Sequence, residues 1–201
     1  MITVKVNGEE RQYPQGATYE DVANDYQKEY DNLIALAARD GKIRELFKKL
    51  TRDCEITFFT LKDDVGNKTY VRSATMLFLK AVFDVYGREA AQNCRVEFAV
   101  GNGSYISPRG QIASTADNAA KIQDRMRELV AAKTPFLKRS YALDNAMELF
   151  HTEGMKDKEK LFRYRRGSFV NIYEMDGYYD YYYGYMLPNA GYVKWFDVIA
   201  Y

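Results

Sequence analysis

The sequence predicts an α+β protein in two successive modules, residues 1–62 and 68–201. Three observations carry the prediction. Strand, strand, helix, strand, strand follow one another within the first module, read from runs of alternating and helical apolar spacing. A polar cluster, Lys62-Asp63-Asp64-Val65-Gly66-Asn67, then breaks the pattern. Beyond it, longer amphipathic helices are interleaved with hairpin signals. The 201 residues, 47% of them hydrophobic, suffice for one large domain or two small ones.

In the first module, residues 2–7 alternate as Ile-Thr-Val-Lys-Val-Asn. A turn at Gly8-Glu9-Glu10 leads into Arg11-Gln12-Tyr13-Pro14, a hairpin with a short loop. Thr18 is a good N-cap, with Asp21 three residues on, for a helix whose buried face is Tyr19, Val22, Ala23 and Tyr26. Leu33-Ile34-Ala35-Leu36-Ala37 reads as a strand. Asp40-Gly41 is a turn signal returning through Lys42 to Leu46, yet Ile43, Leu46, Phe47 and Leu50 also have helical spacing, so pattern leaves both forms open. Cys54-Glu55-Ile56-Thr57-Phe58-Phe59 is a further strand. By length and order this is a ubiquitin-like β-grasp arrangement.

In the second module a helix is expected from Ser73 to Tyr86, with Ala74, Leu77, Phe78, Ala81 and Val85 on one face. Met76 and Phe83 lie off that face, so much of the helix is expected to be buried. Arg95 to Val100 is a strand, turned at Gly101-Asn102-Gly103 into Ser104-Tyr105-Ile106-Ser107. Thr115 caps a helix from 116 to 132 that buries Ala119, Ile122, Met126, Leu129 and Val130. Pro135 to Arg139 is short and extended, and Ser140 is expected to cap a helix carrying Leu143, Ala146, Met147 and Phe150 inward. Met155 to Lys160 is charged, loop or helix. Phe169 to Glu174 and the stretch after Asp176-Gly177 read as the arms of a hairpin with a type I′ turn. The second arm holds six of the 18 tyrosines in eight positions and ends at Pro188-Asn189. Gly191 to Tyr201 reads as a final strand or pair, and its lack of a polar tail suggests a piece of something longer.

Composition narrows function. Charged residues make up 28% and the net charge is +1, so there is no global basic footprint for sequence-independent nucleic-acid binding; a local patch is still compatible. Cys54 and Cys94, the two cysteines, read as free thiols in a reducing, cytoplasmic setting. Met1 to Val6 is a strand pattern rather than a leader, and no apolar run is long enough to span a membrane. One histidine and two distant cysteines make a zinc site difficult without several carboxylates. His151 follows Phe150 near a helix end. It reads as a surface histidine favoured by the helix C-terminal dipole, with no Ser or Cys near it in sequence.

The residues Ile2-Thr3-Val4, Tyr13-Pro14-Gln15-Gly16-Ala17-Thr18, Asp21-Val22-Ala23, Leu33-Ile34-Ala35 and Phe59-Thr60 stand in the order of a TGS domain, and the first module resembles that family. From Val71 onward, the succession of buried helix, Gly-turn hairpin, long helix, short strand, short helix and aromatic hairpin resembles the editing domain that follows TGS in threonyl-tRNA synthetase. That resemblance implies a His-x-x-x-His pair on the first helix and a later Cys-x-x-x-His pair, a cluster that acts on mischarged tRNA or, in some members, holds zinc. Matched residue by residue, the first pair falls on Arg72 and Met76, and the later pair on Tyr182 and Met186, just before Pro188-Asn189. Neither Arg, Met nor Tyr with its ordinary pKa of about 10 replaces an imidazole or a thiolate. The expectation is an editing fold without the editing site, and without a metal.

A TGS module followed by a degenerate editing module is also similar to the front of bacterial uridine-kinase-like nucleoside kinases. That resemblance implies a kinase domain in cis beyond Tyr201, with ATP and magnesium there. No phosphate-loop motif Gly-x4-Gly-Lys-[Ser/Thr] occurs in this sequence. The leading expectation is therefore a non-catalytic regulatory or ligand-binding region of such a kinase. The alternative is a stand-alone tRNA- or RNA-binding module, and a live hydrolase with an unusual site stands third. The candidate surface for a nucleotide or RNA is Arg163-Tyr164-Arg165-Arg166, with Arg72, Tyr181 and Tyr183; a homo-oligomer is compatible. Strand alternation would put Tyr179, Tyr181, Tyr183 and Tyr185 on one face of the second hairpin arm, with Tyr178, Asp180, Tyr182 and Gly184 on the other. One face must be core, and the other is a wall, an interface or a base-stacking platform. Asp180 and Glu174 are too easily a chance pair to read as an acid/base site.

Overall fold

The structure is a computed structural model that describes residues 1–101, 103–110 and 112–201. It is α+β, with 39% helix and 30% strand. Strands β1 (Ile2–Val6), β2 (Glu9–Tyr13), β3 (Ile34–Arg39), β4 (Lys42–Glu45) and β5 (Cys54–Thr60) form one sheet in the order β2-β1-β5-β3-β4. β1 and β5 are parallel; the other neighbours are antiparallel. That is a β-grasp order.

Local chemistry explains most of these elements. The β1–β2 turn sits on Asn7-Gly8, at φ 51° and 87°, one step before the expected Gly8-Glu9-Glu10, because this pair tolerates the two left-handed positions of a type I′ turn. Asp40-Gly41, at φ 49° and 76°, does the same between β3 and β4. This settles residues 42–45 as strand rather than helix. Helix α1 (Tyr19–Tyr26) starts in a capping box: Thr18 accepts from the Asp21 amide, and the Asp21 carboxylate accepts from the Thr18 amide. Its Tyr19, Val22, Ala23 and Tyr26 fill the first core with Val4, Val6, Ile34, Ala37 and Ile56.

β3 is buried along nearly its whole length because the sheet is covered twice. Ile34 and Ala37 join the core under α1, whereas Ala35 belongs to a second core under the long helix α2 (Asp64–Tyr86). α2 begins nine residues before the expected Ser73, and the polar turn expected over 62–67 is largely its first turn. Gly66 carries a turn signal in sequence, but its role is close approach. A Cβ there would lie 1.9 Å from the Thr60 carbonyl oxygen, so only glycine lets α2 lie against the end of β5. On α2, Met76, Leu77, Leu79, Ala81 and Val82 are buried, whereas Val85, expected inward, is exposed.

The short helix α3 (Arg88–Asn93) leads into the two-stranded ribbon β6 (Cys94–Val100) and β7 (Gly103–Pro108). Asn102, in the expected turn, lies outside the described residues. Helix α4 (Ala116–Ala131) is capped by Thr115 as expected. A third sheet has the order β10-β9-β8, from β8 (Leu137–Ala142), β9 (Phe169–Met175) and β10 (Tyr178–Asp180). Ser140 does not cap a helix. It pairs with Asn171 inside β8, and α5 (Leu143–Thr152) starts after Ala142. α6 (Lys156–Arg163) follows.

Two further expectations change. β10 is only three residues long, because the Asp180 carboxylate accepts the Tyr181 amide and turns the chain out of the sheet. The alternation expected through Tyr185 therefore stops at Asp180. Residues 191–201 are not a strand pair; a single 3-10 turn (Ala190–Tyr192) is followed by irregular chain.

Candidate functional site

The four positions implied as a degenerate cluster are Arg72 and Met76 on α2, and Tyr182 and Met186 after β10. Arg72 Nη1 donates to the Tyr185 carbonyl at 3.3 Å, and its guanidinium lies against Gly184. A Cβ at Gly184 would be 2.6 Å from Arg72 Cζ, and this glycine has φ 135°. Met76 and Met186 are fully buried. Ser73, the neighbour of Arg72, ties the helix to the segment: its hydroxyl accepts the Leu187 amide at 2.9 Å and lies 3.9 Å from Met186 Sδ. Tyr182 makes no hydrogen bond to these groups. Its buried hydroxyl has no partner among the described residues, and burial, then Asp180, push its pKa well above the ordinary value.

Thus Arg72, Ser73 and Met186 come together, Met76 packs in the core, and Tyr182 does not join them. The donor set does not fit zinc: a guanidinium repels a cation, and thioethers and a neutral phenol are poor substitutes for thiolate and imidazole. Among the described residues no group of three or more His, Cys, Asp or Glu is placed to hold a metal ion.

Sequence reasoning missed the charged centre beside this segment. Glu45, at the end of β4, is 3% exposed. Its carboxylate accepts from Lys138 Nζ on β8 at 3.0 and 3.1 Å, from the Met186 amide at 3.3 Å, and from the Tyr173 hydroxyl on β9. Burial and the Glu45 charge raise the Tyr173 pKa far above its ordinary value. A glutamate from the first sheet is therefore the anchor of the chain before Pro188. Only the register of β4 reveals it, since Lys-Ile-Arg-Glu carries no motif.

The basic and aromatic surface is built differently from its sequence pattern. α6 buries Phe162, which stacks on Phe150 at 5.2 Å and meets the edge of Tyr181 at 4.8 Å. Arg165 Nη1 donates to the Tyr181 hydroxyl at 2.8 Å, with its guanidinium 5.4 Å from the Phe162 ring and 5.6 Å from the Tyr181 ring. This brings residues 163–166 beside the segment 181–185. Tyr164 is 84% and Tyr183 87% exposed. Arg163 leans on Glu159 at 3.5 Å, while Arg166 is exposed and makes no ion pair among the described residues. Lys158, on α6 upstream of this surface, pairs with Asp180 at 3.2 Å.

Two other candidates resolve into structure. Asp180 is paired with Lys158, and Glu174 with Arg139 at 3.0 Å, so each carboxylate has its own cation. His151 is exposed in the last turn of α5, 3.4 Å from Glu159.

No protein-family profile matches the chain. It is 25% identical over 194 residues to a threonine--tRNA ligase of Porphyromonas gingivalis, an alignment covering 94% of this chain and 29% of that protein. A threonine--tRNA ligase of Thermotoga maritima is 27% identical over 208 aligned positions, covering 99% and 30%. One from Rhizobium etli is 28% identical over 176, covering 87% and 26%. Most of this chain is therefore similar to a part of threonine--tRNA ligases, and it spans less than a third of the length of these relatives. Among the described residues, no helix is long and apolar enough to cross a membrane.

Proposed function

We propose that this chain is a tRNA- or RNA-binding module that shares the architecture of a threonine--tRNA ligase segment but lacks hydrolytic editing chemistry. The observation that carries the reading is the ledge around the Arg165–Tyr181 hydrogen bond. Exposed Tyr164 and Tyr183 offer rings for base stacking, and Arg166 and Arg163 offer charge for phosphates. The relatives support it, since they are tRNA ligases by name. Arg72 against Gly184 and the buried Met186 support the loss of hydrolysis, because no general base or metal-ligand set is left at those positions. The expectation of a regulatory region in front of a nucleoside kinase, with ATP and magnesium bound by a domain in cis, has no observation of its own beyond the resemblance.

Binding of unacylated tRNA and of a single-stranded RNA is measured by fluorescence anisotropy across salt concentrations. Replacing Arg163 and Arg166 by Ala lowers the slope of log K against log salt by about 0.7–0.9 for each phosphate no longer neutralised. Tyr183→Ala costs roughly 1–3 kcal/mol at every salt concentration. Absence of RNA binding, or binding indifferent to all three changes, overturns the reading. Deacylation of a mischarged tRNA abolished by Arg72→Ala would replace it with the hydrolase reading.

A further inference from the structure

A groove of about 670 Å³ lies between α2, α4, the β6–β7 ribbon and the irregular chain 195–201. Its volume falls within the range of small-molecule sites. It is separate from the RNA ledge, to which α6 and residues 181–185 contribute and which supplies none of its walls. On α2 it uses Tyr70, Ala74 and Phe78, the face away from Arg72 and Met76.

The walls combine aromatic rings with neutral polar side chains such as Asn67, Thr75 and Asn118, and are almost free of charge. Tyr70, Phe78, Tyr105, Trp195, Phe196 and Tyr201 line it. Lys and Arg are 29 of the 201 residues, yet none lines the groove among the described residues, and Asp197 is its one charged side chain. Ring faces carry partial negative charge. Aromatic faces, a carboxylate and no cation repel phosphates and carboxylates and attract an ammonium group. The walls are also held in place. The Tyr70 hydroxyl accepts the Trp195 amide at 2.7 Å and donates to the Trp195 carbonyl at 2.7 Å. The Val198 amide donates to Gln123 Oε1 at 2.7 Å and to Asp197 Oδ1 at 3.0 Å, and Ser114 Oγ donates to the Tyr201 carbonyl at 3.1 Å. The Tyr105 ring meets Phe98 in a stack at 5.2 Å and Tyr201 edge-on at 6.2 Å.

We infer that this groove is a second binding site whose ligand is an amine: an aryl or alkyl body lying on the rings, with its ammonium group directed to Asp197. The inference stands on the charge pattern of the groove and does not depend on RNA binding elsewhere.

Trp195 is the single tryptophan, so its emission reports the groove directly. The whole chain is titrated with phenethylammonium, 3-phenylpropanol and 3-phenylpropionate, three probes of similar size and different charge. The expected result is a saturable Trp195 change with the amine, near about 10 mM for a ligand of this size. The alcohol binds about tenfold more weakly, and the carboxylate does not saturate. In Asp197→Asn, the advantage of the amine over the alcohol shrinks about threefold, to the share the rings supply, while the alcohol is unchanged; Asp197 is exposed, and far-UV circular dichroism confirms the fold. Cys94 also lines the groove, so the amine slows its alkylation in parallel. Equal binding of the carboxylate, an amine preference undiminished in Asp197→Asn, or no effect of the amine on either Trp195 or Cys94 overturns the inference.

Discussion

Replacing Glu45 by Ala tests the anchor between the two cores. The substitution removes an almost fully buried carboxylate that serves Lys138, Tyr173 and the Met186 amide together. Each loss has a size. Tyr173 keeps an acceptor, the Gly184 carbonyl at 2.9 Å, so its hydroxyl is not orphaned. The Met186 amide is orphaned, at about 1–3 kcal/mol. The Lys138 ammonium, on a side chain 15% exposed, loses its counter-ion. Removing one partner of a buried pair costs about 3–5 kcal/mol in all, and partial access of Lys138 to water places this case near the lower end. With a urea m-value of about 2 kcal/mol/M, the midpoint falls by roughly 1.5–2 M. The assay is urea unfolding followed by circular dichroism and Trp195 emission. Adding Lys138→Met to Glu45→Met recovers the share of the loss that comes from the stranded Lys138 charge, because a hydrophobic pair of similar volume replaces the ion pair, while the Met186 amide still lacks its acceptor. A loss below about 1 kcal/mol for Glu45→Ala, or additive losses in the double variant, refutes the anchor.

Three further outcomes follow from the same structure. Gly66→Ala destabilises by about 1–3 kcal/mol, because its Cβ meets the Thr60 carbonyl, whereas an open helical glycine gains up to about 1 kcal/mol on this change; a raised melting temperature would contradict the contact. Thr18→Ala costs about 1 kcal/mol through loss of the capping box, read as a lower urea midpoint with an unchanged m-value. Burial raises the pKa of Tyr173, Tyr178, Tyr182 and Tyr192 above the unfolded value of about 10. Cys94 is pushed up to about 11 by burial as well. A raised folded pKa means that the neutral form is favoured in the native state. The stabilisation is complete below about pH 8.5–10 and is lost as pH rises beyond it. Absorbance at 295 nm then shows exposed tyrosines ionising first and the buried ones only with unfolding; a single reversible wave covering every tyrosine would refute this.

Much of the fold is legible in the sequence because it is written in short-range chemistry. The Thr18–Asp21 box, the Thr115 cap, the faces of α1 and α4 and the turns at Asp40-Gly41 and Asp176-Gly177 depend on residues within one turn of each other. The misread elements share a different cause. Gly66 looks like a turn residue until Thr60 is beside it, Ser140 looks like a cap until β9 pairs with it, and β10 ends where a side chain captures its own backbone.

Residue identity and local periodicity suffice for the α+β class, for the strand and helix order of the first module apart from residues 42–45, and for the lack of imidazole or thiolate at Arg72, Met76, Tyr182 and Met186. They do not say which of those positions meet, that Glu45 anchors the segment before Pro188, that Arg165 pairs with Tyr181, or that no cation lines the groove beside Trp195 among the described residues. Those are relations between residues far apart in the chain, and they come from the folded structure. Packing sets them: a buried charge or a close backbone approach is specified by its distant partner, which one-dimensional spacing does not contain.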